Sequence, residues 1–120
     1  MSIKDRINVL VQIDFLSQEE AEKLICWIAM LNETFGLSIS EENGGTLITH
    51  LASMLKRSKV NETITAMDPS IYDQLRELSV FEKALQLYSQ LNISFNIPKE
   101  EEDYVMLHLC NLLQQEESYE

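Results

Sequence analysis

Ile97-Pro98-Lys99-Glu100-Glu101-Glu102-Asp103-Tyr104-Val105-Met106-Leu107-His108-Leu109 reads as the opening of a long helix. Proline suits the first helical position, because its missing N–H would have no partner there. The four acidic residues that follow carry the charge a helix N-terminus favours. Tyr104, Val105, Leu107, His108, Leu109, Leu112 and Leu113 then recur at helical spacing. From Gln114 onward the sequence turns polar, and residues 114–120 are expected to fray into a tail.

The same signals recur upstream. Residues 3–13 carry apolar side chains at 3, 7, 10, 11 and 13, as a short helix would. Ser17 with Glu20 three residues later has the capping-box form. Leu24, Ile25, Trp27, Ile28 and Leu31 follow at helical spacing, and Gly36 is placed to end that helix. Ser40-Glu41-Glu42 can start the next one. Gly44-Gly45, costing about 1 kcal/mol each against alanine, imply either close packing at the first turn or a later start. Leu47, Leu51, Met54 and Leu55 then form a stripe that ends in Lys56-Arg57-Ser58-Lys59, whose cations suit a helix C-terminus. Residues 60–67, rich in Thr and Asn, read as a connector. Asp68-Pro69 is a start signal, and Ser79 or Val80 opens a further helix. Residues 92–97 alternate as a short extended segment would. The expected class is all-α: a compact bundle of five to six helices in one domain, 1–120, with a short N-terminal helix within 1–13.

Composition narrows the function. Twenty acidic against nine basic residues give a formal net charge of −11. That field repels phosphate backbones and anionic membrane surfaces. Direct nucleic-acid and membrane partners are therefore not expected, whereas a protein partner with a basic rim is favoured. The apolar run Val9-Leu10-Val11 is broken by Gln12 and Asp14, too short for a signal peptide core or a membrane span. Cys26 and Cys110 lack metal spacing and read as buried, reduced thiols of a cytoplasmic protein. No phosphate-cradling glycine motif occurs and the histidines do not complete a ligand set, so no cofactor or metal is expected.

His50 and His108 are the two histidines, each set mid-helix among apolar neighbours. Leu47, His50, Met54 and Arg57 share one face; Glu101, Tyr104 and His108 share another. Arg57 and Glu101 lie two turns from their histidines, roughly 10 Å along a straight helix, and so are expected to act across helices. A buried structural histidine is the plain alternative in each case. Glu101, Tyr104 and His108 are the sole set the sequence offers for catalysis, and the chain is not expected to be an enzyme.

Both histidine segments resemble the PTS-regulation domain family. In the second, Pro98, Glu101, Tyr104, Val105, Leu107, His108 and Leu109 match without a gap, with Asp103 where the family usually has glycine. In the first, His50 and Arg57 match, with Thr49 where aspartate is frequent. Asp68-Pro69 is similar to the Asn-Pro that opens the family's middle helix. The resemblance implies a regulatory helical domain, active as a homodimer. Its histidines, here His50 and His108, would accept a phosphoryl group from the histidine phosphocarrier protein or from a sugar-permease component. Arg57, Glu101 and Tyr104 would be supporting residues. Lys56, Arg57 and Lys59 would receive a phosphate at His50, whereas acidic neighbours would repel one at His108. With no room for a nucleic-acid-binding domain, such a chain would act through protein partners. The alternative is a helical interaction module whose histidines are structural.

Overall fold

The computed structural model describes residues 2–118. Among them there are six helices and no strand: α1 (Ile3–Gln12), α2 (Gln18–Phe35), α3 (Glu41–Lys59), α4 (Pro69–Arg76), α5 (Phe81–Phe95) and α6 (Lys99–Ser118). The all-α expectation holds. The chain divides into two compact units, Met1–Asn61 and Glu62–Glu120, carrying α1–α3 and α4–α6.

In the first unit every helix starts on a serine. Ser2, Ser17 and Ser40 each accept a hydrogen bond from the backbone N–H three residues on. The side chains of Asp5, Glu20 and Asn43 in turn each accept one from the serine N–H. These reciprocal bonds satisfy two of the amide groups a helix start leaves open. Gly36 ends α2 in the left-handed region, φ +66°, with bonds from Gly36 N to Asn32 O and from Leu37 N to Leu31 O. Helix α1 packs on α2 and α3. It buries Ile7 and Leu10; α2 buries Ala21, Leu24, Trp27 and Leu31. Helix α3 buries Leu47, Ile48, Leu51, Ala52, Met54 and Leu55 over a wide arc.

The two glycines at 44–45 mark close packing and not a late start, since α3 begins at Glu41 and both are buried. A Cβ at Gly44 would fall on Ile39 Cγ2. One at Gly45 would lie 3.2 Å from Arg6 Nε.

In the second unit α6 packs on α5 and on α4. Asp68 caps α4 by accepting from Ser70 N, with Pro69 at the first helical position. Two expectations change here. Residues 92–97 are not extended: α5 runs to Phe95, Asn96 (φ 50°) ends it, and Asn92 Oδ1 accepts from Ile97 N at 2.7 Å. The alternation in that stretch came from residues near a helix end, where a local side-chain bond outweighs strand pattern. The segment expected to fray from Gln114 is helical through Ser118; 119–120 lie outside the described residues.

Replacing Gly44 by alanine is expected to destabilise the protein by about 1–2 kcal/mol, because the β-branched Ile39 has little freedom to withdraw. Gly45→Ala should be close to neutral: the flexible Arg6 can shift, and alanine gains about 1 kcal/mol of helix propensity. Urea unfolding of both variants checks the order.

Candidate functional site

His50 lies in α3 of the first unit and His108 in α6 of the second. Each is half-buried at the border of its helix's apolar arc. His50 is flanked by the buried Leu47, Ile48, Leu51 and Met54; His108 by Val105, Leu109 and Leu112. The Nε2 atom of His50 is shielded from solvent, and the residue takes part in polar interactions. Burial pushes His108 below the ordinary histidine value of 6.5. Its ring is therefore neutral at pH 7, the form whose nitrogen lone pair can act as a nucleophile or an acceptor.

The supporting residues divide in the same way. Arg57 shares α3 with His50, and Glu101 and Tyr104 share α6 with His108. Glu101 is 3% exposed, the one buried charged side chain among the described residues. A carboxylate at that depth requires compensation by hydrogen bonds or charge, and Glu101 is engaged. Tyr104 donates its hydroxyl to the Thr65 carbonyl at 3.0 Å, tying α6 to the connector before α4.

The cations nominated around His50 have other work. Lys56 Nζ stands 4.4 Å from the centre of the Phe15 ring, a cation–π contact. Lys59 pairs with Glu20. Burial alone would raise the Glu20 carboxyl, but hydrogen bonds from Lys59 and Ser17 bring it below the usual range.

Sequence reasoning missed Arg6. Its Nε donates to both Glu41 oxygens at 2.8 and 2.9 Å, and its Nη2 to Oε1 as well. Its Nη1 donates to Thr49 Oγ1 at 2.8 Å. The guanidinium thus lies along α3 from its first turn to the residue before His50, in the space Gly45 leaves. The hydrogen bond from Arg6 holds the Glu41 carboxyl below its usual value.

On the second unit a cleft of about 590 Å³ is lined by Pro69, Tyr72, Asp73, Arg76, Lys99 and Asp103 among others. Arg76 is held there by Asp73 at 3.3 Å and by the Tyr72 ring, 4.9 Å from its centre. Cys110 is buried, as expected, and burial raises its thiol; Cys26 instead lies exposed on α2. Among the described residues no three or more His, Cys, Asp or Glu side chains gather as metal ligands. No helix among them is long and apolar enough to cross a membrane.

The model of the PRD domain family matches residues 27–112, which include α3, both histidines and most of α6. This chain belongs to the PRD family. That family is one of regulatory domains, and both histidine segments fall inside the match. The chain is also 25% identical over 112 residues to the uncharacterized protein YhfY of Escherichia coli (strain K12), covering 92% of this chain and 93% of that protein. No solved structure matches.

The lowered His108 value sets a sign for pH dependence. The unfolded chain takes up a proton on His108 near pH 6.5, before the folded protein does. The stability His108 contributes is therefore fully present above that pH. It declines as the pH falls through that value toward the folded one. Chemical unfolding at pH 7.5 and 5.5 is expected to show wild type losing more stability than His108→Gln over that interval. Equal losses in both would remove His108 as the source.

Proposed function

We propose that this PRD-family chain is a regulatory domain that receives a phosphoryl group on His50, His108 or both, and passes the signal to a protein partner through a change in dimer packing. Family membership carries the reading. The setting of each histidine supports it: half-buried, carried on a long helix, and flanked by side chains whose packing a new dianion would disturb. Phosphate adds about two negative charges and three strong acceptor oxygens. On α6 those charges would meet Glu101 and Asp103; on α3 they would meet a helix whose last turn is basic. Phosphate would thus be repelled on α6 and would draw cations to itself on α3, which is how one fold can read two phosphorylation states.

The donor chemistry proposed is that of the sugar phosphotransferase system, with the histidine phosphocarrier protein or a permease component as the immediate donor. A cytoplasmic setting follows from such a donor. The acidic surface agrees with a protein partner bearing basic groups and not with direct nucleic-acid binding.

Incubation with phosphoenolpyruvate, the general phosphotransferase enzyme and the histidine phosphocarrier tests this directly. Wild type is expected to gain an acid-labile 80 Da per site, roughly the mass of one phosphoryl group. His50→Ala or His108→Ala should lose the increment belonging to its site. An unchanged wild-type mass with both this donor chain and a permease component would favour an interaction module with structural histidines.

A further inference from the structure

Helix α1 is fastened to α3 by one arginine, and that fastening ends one residue short of His50. Arg6 reaches over the side-chain-free Gly45, grips the Glu41 carboxylate through Nε and Nη2, and spends its remaining nitrogen on Thr49 Oγ1. The side chains of Arg6 and Glu41 are 32% and 26% exposed, so water can reach the pair without dissolving it. On a helix the row 45–49 lies directly beside the row 46–50. His50 therefore projects from the row neighbouring the one the guanidinium covers.

From this placement we infer that Arg6 is the cation for which a phosphate on His50 competes with Glu41, so that phosphorylation loosens the seat of α1 on α3. The inference rests on the reading of His50 as a phosphate acceptor and adds the means by which that site is read out. Three observations support the choice of Arg6. It already extends to the turn that bears His50. The two lysines at the end of α3 are committed, Lys56 to Phe15 and Lys59 to Glu20. Finally, a planar guanidinium binds phosphate in bidentate fashion, and a phosphate carries more charge than the single carboxylate it would displace. In the transfer, the lone pair of a His50 ring nitrogen attacks phosphorus. The donor's P–N bond breaks, its electron pair leaves with the donor nitrogen, and His50 keeps the proton on its other nitrogen.

The test uses the full chain with His108→Gln, so that His50 alone can take the phosphate, and phosphoramidate as a donor independent of any protein. In this reaction ammonia is the leaving group. Intact mass reports phosphate on His50, and amide hydrogen exchange at pH 8 reports α1. Phosphorylation is expected to speed exchange in α1 about tenfold, the effect of losing one charge-assisted pair. Adding Arg6→Gln should leave α1 fast from the outset with no further response to phosphate. Arg6→Lys, which keeps the charge, should restore part of the response. Glu41→Gln serves as a second variant should Arg6→Gln unfold: without the competing carboxylate, phosphate should slow α1 exchange instead of speeding it. Phosphate on His50 with unchanged α1 exchange, or an equal response in Arg6→Gln, overturns the inference and leaves the regulatory reading standing. Absence of phosphate on His50 overturns the reading at that site and the inference with it.

Discussion

Burial of α3 and α6 over wide arcs is the constraint from which the rest follows. Each helix hides six apolar side chains, Leu47 to Leu55 on one and Val105 to Leu113 on the other. An arc that broad leaves a narrow rim between apolar interior and water, and the histidines occupy the rim. A residue there is half-buried, and for His108 that burial lowers the pKa of the ring. The remaining helices serve this arrangement, α1 by covering α3, and α4 and α5 by covering α6.

The parts of the fold that were legible in the sequence are those written in adjacent residues. Ser17 with Glu20, Gly36, and Asp68-Pro69 each act within about one helical turn, so their meaning survives without knowledge of the fold. The end of α5 was misread because Asn92 and Asn96 terminate a helix through one side-chain bond and one left-handed residue, devices with no periodicity. The pair Gly44-Gly45 signalled something unusual but could not say what approached it. That depended on Ile39 and on Arg6, the latter placed there by packing alone.

The site was legible in the same uneven way. His50, His108, Arg57, Glu101 and Tyr104 stand in ordered segments that identify a family. Arg6 stands outside any such segment, 35 positions from Glu41 and 43 from Thr49. Its partners are set by how α1 lies on α3, and no linear spacing encodes that. The same contact gives Thr49 a use: where the family often has an acid, this hydroxyl accepts from a cation without neutralising it.

The serine boxes at Ser2, Ser17 and Ser40 have a bearing on how a signal could travel. Because each start is secured by groups within its own first turn, a helix of the first unit needs no neighbour to define where it begins. Its docking can change while its length and register persist. A change of state in this unit would then move rigid rods against one another, leaving far-ultraviolet circular dichroism almost unaltered while near-ultraviolet signals from Trp27 respond.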